Sequence, residues 1–271
     1  MNYYVRKVEY SPFAKKSITA GIDIGSLSTD AVIMNGNEIL AYAVVPTLSS
    51  SENAAERAYD EALEKAGLQR DNVSRVVSTG YGRSSISFAS RAVTEITCHA
   101  IGARQLYPQV ATVIDIGGQD SKVIRLGEDG RVEDFSMNDK CAAGTGRFLE
   151  VMARSLDTNL ETLGSLSTLA TSDIRISSTC TVFAESEVVA LVAKGASKED
   201  IIRGLHFAIA ERIYGMVTRL RGLPPFVMTG GVAKNSGVVT AIQDRLGSAI
   251  LLPVEPQIVG AIGAAIIAAE E

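Results

Sequence analysis

Apolar residues gather in short runs that each end in a small or polar turn, and two of these runs are near copies of each other. Residues 18–28 (ITAGIDIGSLS) and residues 112–121 (TVIDIGGQDS) both carry Asp-Ile-Gly before a polar turn, with Asp23 and Asp115 92 positions apart. Each run is followed by two alternating apolar and polar segments with turn residues between them, which predicts a β-hairpin. A repeat at this spacing predicts two related lobes, because the repeats of a solenoid are shorter.

Helical patterns fall between these strand patterns. Residues 52–66 are rich in Ala and Glu and end at Gly67, which predicts a helix closed by a glycine. From Lys198, apolar residues recur every three or four positions to near Gly222, which predicts an amphipathic helix. The alternation of strands and helices predicts an α/β fold. Further strands are predicted at residues 73–78, 226–228 and 249–252, and further helices at residues 145–156, 181–194 and 260–269.

Composition narrows the class of protein. With 46% hydrophobic and 21% charged residues, the chain is ordinary globular protein and is neither disordered nor fibrous. The net charge is −5 and no basic run occurs, so we expect no nucleic-acid partner. The longest apolar stretch, residues 258–269, is shorter than the roughly 20 residues that cross a bilayer, so we expect no membrane span. No secretory signal is apparent, and three cysteines make no disulfide framework, so we expect a cytoplasmic protein with reduced thiols.

Three glycine-containing turns follow predicted strands and share one chemistry. Glycine has no Cβ and lets backbone N–H groups approach phosphate oxygens. Asp23 and Asp115, near the ends of the two repeated strands, are candidates to hold the water shell of Mg²⁺. One such turn is usually only a turn, but two matched Asp-x-Gly turns and a Thr-Gly-Gly turn together indicate a nucleotide site. The candidate binding residues are Gly25, Ser26, Leu27, Ser28, Thr29, Gly117, Gly118, Gly230, Gly231 and Asn235.

The three turns carry a family resemblance. GIDIGSLST, VIDIGGQDSK and VMTGGVAKN resemble the phosphate-one, phosphate-two and adenosine motifs of the superfamily of acetate and sugar kinases, heat-shock chaperones and actin. The resemblance implies two actin-like lobes with ATP or ADP and Mg²⁺ in the cleft between them. The first lobe would comprise residues 1–107 with 258–271, and the second residues 108–257. By family position Gln257 would reach the adenosine end of the cleft. Gln119 and Asp120 are candidates to orient the attacking water near the γ-phosphate, because the protein's main task in such hydrolysis is to position water.

Asp30 departs from that pattern. Relatives in the superfamily often have Lys after the Ser/Thr-rich turn, where its charge contributes to phosphate binding. A carboxylate aimed at the phosphates would repel them, so we expect Asp30 either to face away or to act through Mg²⁺.

Cys141 and Cys180 each precede a predicted helix. A helix N-terminus favours the thiolate, so both cysteines are candidate ligands. The alternative is that they are small buried apolar residues, the usual state of an unpaired cysteine. Their polar and small neighbours favour the first interpretation. Two thiolates are too few for tetrahedral zinc or an iron–sulfur cluster, but a twofold homodimer would supply four.

The cysteine segments resemble one family closely. NDKCAAGTGRFLEV around Cys141 and ISSTCTVFAESEV around Cys180, with STGYGR and EITCHAIGA, resemble the activator (component A) of 2-hydroxyacyl-CoA dehydratases. This family also includes ATPase subunits of benzoyl-CoA reductases and reductases of double-cubane-cluster proteins, and the likeness covers about residues 18–267. It implies a homodimer with one [4Fe–4S] cluster held by Cys141 and Cys180, and ATP in each subunit. It further implies electron transfer from ferredoxin or flavodoxin to a partner iron–sulfur dehydratase or reductase.

Two other functions stay open at the level of sequence. One is a small-molecule kinase of the same superfamily, and the other is a structural dimer linked by zinc. Cys98 and His99 invite a catalytic dyad, but adjacent side chains point apart and no acid in the sequence orients His99. We expect both to be structural, and we expect His206 to lie at the boundary of the apolar face of its helix.

Overall fold

A five-stranded mixed sheet forms the first half of the molecule, for which a computed structural model describes residues 17–176 and 180–270. Its strand order is β3-β2-β1-β4-β5, with an antiparallel β1–β2–β3 meander and β4 parallel to β1. The predicted hairpin turn lies at Gly36, whose φ of +61° is the left-handed conformation that glycine adopts without strain. The strands are β1 (Ile18–Ile24), β2 (Ser28–Asn35), β3 (Glu38–Pro46), β4 (Arg75–Gly80) and β5 (Arg91–Ala92).

The second half repeats this plan. Its strand order is β10-β9-β6-β7-β8, again with an antiparallel three-stranded meander and a parallel neighbour, β9, beside the first strand. Asp23 of β1 lies opposite Asp30, and Asp115 of β6 lies opposite Lys122, so the same position recurs in both hairpins. The strands are β6 (Thr112–Ile116), β7 (Ser121–Leu126), β8 (Val132–Asn138), β9 (Phe226–Thr229) and β10 (Ile250–Leu251).

Helices cover the sheets and begin and end at the expected kinds of residue. The Ser50 side chain accepts a hydrogen bond from the Asn53 N–H at the start of α1, and Gly67 closes that helix in the left-handed conformation. The long helix α6 ends at Leu220, with Arg221 left-handed, close to the expected end. The helices are α1 (Ser51–Ala66), α2 (Glu95–Leu106), α3 (Gly146–Ser155), α4 (Leu163–Ser167), α5 (Thr181–Ala193), α6 (Lys198–Leu220), α7 (Ser236–Leu246) and α8 (Val259–Glu270).

Each half has its own apolar core. One core lies between the first sheet and α1, and the other joins the second sheet to α3, α6 and α7. The backbone of α8 packs in direct contact with its neighbours. A Cβ on Gly21 of β1 would meet the Ala261 carbonyl of α8, and a Cβ on Gly263 of α8 would meet the Cys98 carbonyl of α2. The helix is therefore pressed against β1 and α2. The lobe boundaries near residues 107 and 257 stay a prediction.

The α/β prediction is confirmed, while some details differ. Helix α2 was not predicted, and the strand expected at 73–78 is displaced by two residues. The expectation for His206 is wrong: the side chain is 1% exposed, and burial lowers its pKa to about 4. Helices α4 and α7 pack on that side of α6, where a Cβ on Gly237 would meet the imidazole ring. No helix within the described part of the chain has the length and apolar character of a membrane span.

Candidate functional site

A cavity of about 480 Å³ opens where the carboxyl ends of β1 and β6 face each other. This volume lies in the range of pockets that enclose a small-molecule ligand. Both sheets contribute to its wall, so sequence positions more than 200 residues apart meet here. The sequence-predicted residues that line it are Asp23, Gly25, Ser26, Leu27, Ser28, Asp115, Gly117, Gly118, Gly230, Gly231, Asn235 and Gln257.

Two predicted residues are not among the described residues that line the cavity. Side chains alternate along a strand, so Ser28 and Asp30 face the cavity and Thr29 faces the opposite way. The Thr29 hydroxyl lies 2.9 Å from the Thr47 hydroxyl in a buried hydrogen bond. Gln119 is exposed at its turn, whereas Asp120, the other candidate for orienting water, lines the cavity. Which of the two orients water stays a prediction.

An imidazole lies between the two repeated aspartates at the floor of the cavity. The His99 ring places Nε2 3.5 Å from Asp23 Oδ2 and Nδ1 3.7 Å from Asp115 Oδ1. The Thr229 hydroxyl donates a hydrogen bond to Asp115 Oδ1 at 2.9 Å and lies 3.2 Å from His99 Nδ1. Burial lowers the pKa of His99, but Asp115 and Asp23 outweigh that effect and raise it above its ordinary value. The sequence did not predict that His99 lies between two acids, because Asp23 and Asp115 are distant from it in the chain.

A buried lysine supplies positive charge beside Asp115. Lys122 Nζ lies 3.2 Å from Asp115 Oδ2 and forms an ion pair with Asp120. Burial lowers the pKa of Lys122, but the two carboxylates raise it above its ordinary value, so the side chain stays charged. Burial alone would raise the pKa of Asp115. The positive charges of His99 and Lys122 outweigh that effect and hold the pKa of Asp115 at about 2. The second hairpin therefore brings an ionised carboxylate and an ammonium group to the cavity.

Asp30 faces the cavity, so the expectation that it faces away is wrong, and its action through Mg²⁺ stays a prediction. Its side chain is buried, and Oδ1 has no hydrogen-bond partner among the described residues. The Ser28 hydroxyl donates to the other oxygen at 3.3 Å. Burial, and then the nearby Asp23 carboxylate, raise the pKa of Asp30 well above its ordinary value. A raised pKa means that the ionised carboxylate is costly here, and a bound cation would offset that cost.

Two glycines make room for the aspartates. Gly80 ends β4 with φ +85°, and Gly230 follows β9 with φ +82°. A Cβ on Gly80 would meet Asp23 Oδ1, and a Cβ on Gly230 would lie 2.8 Å from Asp115 Oδ1. Both the left-handed backbone and the close approach therefore require glycine at these positions.

Gln257 spans the cavity wall between the two halves. Its Nε2 donates to the Ser28 hydroxyl at 3.1 Å, and its Oε1 accepts from Lys234 Nζ at 2.5 Å. Lys234 also pairs with Glu255 at 2.9 Å. Gln257 therefore contacts the first glycine-containing turn as well as the region of the Thr-Gly-Gly turn. The residues at the remaining wall, none of them a predicted binding residue, are Tyr81, Glu95, Gly146, Leu149, Glu150, Leu160, Glu161 and Val232.

The two candidate cysteine ligands differ in setting. Cys180 directly precedes α5 and occupies its cap position, as expected. Cys141 precedes α3 as expected, and it lies five residues before the first residue of that helix, whose cap is Thr145. Cys141 is half-buried and packs against the apolar core of the second half, contrary to the expectation drawn from its neighbours. Neither cysteine belongs to the described cavity lining, and residues 177–179 of the Cys180 segment lie outside the described residues.

Helix α3 is hydrogen-bonded to the second repeated turn. The Gly146 N–H donates to the Gly117 carbonyl at 2.9 Å, and the Arg147 N–H donates to the Gly118 carbonyl at 2.8 Å. These are two of the N–H groups that a helix start leaves without an internal partner. The loop that carries Cys141 therefore ends on the wall of the cavity.

Cys98 behaves as the sequence predicts. It is fully buried, and burial raises the pKa of its thiol to about 12. In one chain, the described residues contain no group of three or more His, Cys, Asp or Glu side chains placed to hold a metal ion.

Comparison with known proteins gives consistent matches over more than nine-tenths of the chain. The model of the BadF/BadG/BcrA/BcrD ATPase family matches residues 20–268. An activator of lactoyl-CoA dehydratase from Anaerotignum propionicum is 48% identical over 252 residues, which are 93% of this chain and 97% of that protein. One of the subunits of benzoyl-CoA reductase from Thauera aromatica is 34% identical over 261 residues, which are 92% of each chain.

Solved structures agree with these matches. Component A of (R)-2-hydroxyglutaryl-CoA dehydratase from Acidaminococcus fermentans superposes with a TM-score of 0.90 at 44% identity, over 94% of this chain and 98% of that one. The activator of 2-hydroxyisocaproyl-CoA dehydratase from Clostridium difficile, solved with bound ADPNP, superposes with a TM-score of 0.88 at 44% identity, over 93% and 94%. A ROK-family glucokinase from Streptomyces griseus, at 15% identity and a TM-score of 0.57, shares the fold alone. The predicted actin-like fold is confirmed.

Proposed function

The chain belongs to the BadF/BadG/BcrA/BcrD ATPase family, and on that premise we propose that it is an ATP-dependent reductive activator. In this proposal two copies share one [4Fe–4S] cluster and pass a low-potential electron to a partner iron–sulfur enzyme in the cytoplasm. The observation that carries it is the pair of hydrogen bonds from α3 to Gly117 and Gly118. They join a turn of the nucleotide cavity to the segment that carries Cys141.

The cavity is proposed to hold ATP with Mg²⁺. Mg²⁺ prefers oxygen ligands and keeps several waters, and the donor set here fits that preference. Asp23 and Asp115 present carboxylates, and Asp30 Oδ1 is a buried oxygen in need of a partner. Bound Mg²⁺ would neutralise charge on the phosphates. Lys122 would add a fixed positive charge, and the turns at Gly25 and Gly117 would offer backbone N–H groups.

The cysteines fit a shared cluster by their chemistry and surroundings. Thiolates are the donors of iron–sulfur clusters, and each chain contributes Cys141 and Cys180. Next to Cys180, α5 exposes Val182, Phe183 and Val189, which are 65%, 70% and 56% exposed. Large apolar side chains exposed near one another on a helix are typical of a protein–protein interface. We assign it to the second copy, which would bring the other two thiolates.

Coupling between the sites follows from the same contacts. If closure around nucleotide shifts the turn at Gly117 and Gly118, α3 moves with it, because its first N–H groups are bonded there. Arg212 Nη1 donates to the Ala143 carbonyl at 2.9 Å, and Asn138 Nδ2 donates to the Cys141 carbonyl at 2.7 Å, so the cysteine loop is held to its surroundings. The potential of a cluster depends on charge, hydrogen bonding and solvent around its sulfurs.

The partner is proposed from the relatives. The activators named above serve lactoyl-CoA, 2-hydroxyisocaproyl-CoA and 2-hydroxyglutaryl-CoA dehydratases, and one relative belongs to a benzoyl-CoA reductase. A 2-hydroxyacyl-CoA dehydratase is thus the proposed acceptor, with ferredoxin or flavodoxin as donor. Small-molecule kinases share only the fold, so the kinase alternative has no observation in its favour.

Iron content under anaerobic conditions tests the proposal. The protein should purify as a dimer with about four irons, because one [4Fe–4S] cluster is shared. Cys141→Ser and Cys180→Ser should each lose the cluster and its visible absorption, yet still bind ATP. Cys98→Ala is the matched control and should keep full iron content, since Cys98 is buried between α2 and α8.

Two results would contradict the proposal. One is an iron-free parent protein prepared without oxygen, and the other is full iron content in Cys141→Ser. Electron transfer to an added dehydratase that proceeds equally without ATP would contradict the coupling alone.

A further inference from the structure

His99 reaches both repeated aspartates from a helix that lies between the two sheets. Helix α2 packs along α8 and contacts β4 of the first sheet and β6, β7 and β8 of the second. From this position His99 faces Asp23 of the first half at 3.5 Å and Asp115 of the second at 3.7 Å. One side chain therefore stands between the carboxylates of two lobes.

The ring is held tightly in that place. The side chain is 5% exposed, and the Thr229 hydroxyl lies 3.2 Å from Nδ1. On the other side, a Cβ on Gly260 would lie 3.0 Å from Nε2 and would also meet Asp23 Oδ2. Helix α8 thus comes close to the imidazole where only a glycine fits. The packing fixes the ring relative to both acids.

The ring also differs from the second histidine of the chain. His206 is buried as well, but neither of its ring nitrogens has a hydrogen-bond partner among the described residues, and it does not belong to the described cavity lining. His99 lines the cavity and faces two acids that are proposed to hold hydrated Mg²⁺. Burial alone does not distinguish the two histidines, whereas their neighbours do.

We propose that His99 is a positioning residue that sets the placement of Asp23 and Asp115 toward each other, and so the affinity of the cleft for Mg²⁺-bound nucleotide. The inference rests on the proposed ATP and Mg²⁺ site and adds to it the residue that joins the two lobes there. His99 acts through the two carboxylates and does not itself hold the metal. Groups that orient metal-binding carboxylates in this way are typically worth 10- to 100-fold in metal affinity.

Nucleotide binding with and without Mg²⁺ tests this role. The dissociation constant of a fluorescent ATP analogue is measured in excess Mg²⁺ and in EDTA for the parent, His99→Leu and His99→Gln. We expect His99→Leu to raise the Kd about tenfold or more in Mg²⁺ and by less than about twofold in EDTA. His99→Gln keeps a polar group in reach of the acids and should recover much of the loss. His206→Leu is the matched control and should change neither Kd.

The outcomes separate the inference from the function on which it rests. An unchanged Mg²⁺ dependence in His99→Leu overturns the inference, and so does an equal loss in Mg²⁺ and EDTA, which a merely structural role would give. If His99→Leu does not fold, His99→Ala, which also removes the imidazole, decides the matter by the same two measurements. A parent protein whose ATP binding and hydrolysis do not respond to Mg²⁺ contradicts the proposed metal site instead.

Discussion

The two hairpins share a backbone plan but carry opposite chemistry at one position. Strand β1 pairs Asp23 with Asp30, and β6 pairs Asp115 with Lys122. In the first hairpin burial and a neighbouring acid raise the pKa of Asp30. In the second, His99 and Lys122 outweigh burial and hold the pKa of Asp115 at about 2. A duplicated strand pair thus yields one wall with two neighbouring acids and one wall with an ion pair.

This difference explains how a buried lysine comes to lie at the wall of the cavity. The superfamily pattern led us to look for a lysine after the first turn, where this chain has Asp30. The structure brings Lys122 to the cavity from the equivalent position of the second hairpin, 92 residues later. The contribution of a cation to phosphate binding can therefore move from one lobe to the other without a change of fold.

The largest expected effect follows from removing that cation. Lys122→Met leaves Asp115 and Asp120 buried without their ammonium partner, so we expect a loss of about 3–5 kcal/mol in the free energy of unfolding. ATP binding should fall as well. Urea denaturation and nucleotide titration measure the two losses. Lys65→Met, at an exposed pair with Glu61, is the control and should cost at most about 1 kcal/mol. If Lys122→Met lowered the free energy of unfolding by as little as Lys65→Met does, the buried ion pair of the second hairpin would not contribute the stability expected of it.

The opposite pKa shifts predict opposite pH dependence. The lowered pKa of Asp115 contributes stability above about pH 4 that is lost as pH falls toward 2, so Asp115→Asn should cost about 2 kcal/mol at pH 7. The raised pKa of Asp30 makes the unfolded chain ionise first as pH rises above about 4, which destabilises the parent. Asp30→Asn should therefore gain stability relative to the parent as pH rises. Urea midpoints at pH 2 and 4 measure the Asp115 trend and those at pH 4, 6 and 8 the Asp30 trend, and a shared direction would contradict them.

The smallest expected effect concerns two adjacent residues of β2. Thr29→Val removes one buried hydrogen bond to Thr47 and should cost about 1 kcal/mol in stability without changing nucleotide affinity. Ser28→Ala removes a hydroxyl that faces the cavity and contacts Gln257, so it should weaken nucleotide binding severalfold. Equal effects on nucleotide affinity would show that the alternation along β2 does not decide which side chain meets the ligand.

Local patterns predicted the turns of the site but not the side chains between them. Strand alternation and glycine are short-range signals, so Asp23, Asp115 and their turns could be found from the sequence. Thr29 and Gln119 were assigned by proximity in sequence, and alternation from Asp30 would have excluded Thr29. The same repeat that pairs Asp23 with Asp115 aligns Asp30 with Lys122, so that lysine could have been found. His99 carried no such signal, because its role depends on two acids that meet only after both sheets are packed.

The hydrogen bonds from α3 to the second turn also fix which way that turn is polarised. In a planar trans peptide the carbonyl and the following N–H point in opposite directions. Since the carbonyls of Gly117 and Gly118 are directed at the start of α3, the amide hydrogens that follow them are directed away from it. A shift in where α3 begins would rotate these peptides. The position at which α3 begins therefore sets the direction in which the amide hydrogens of this turn point.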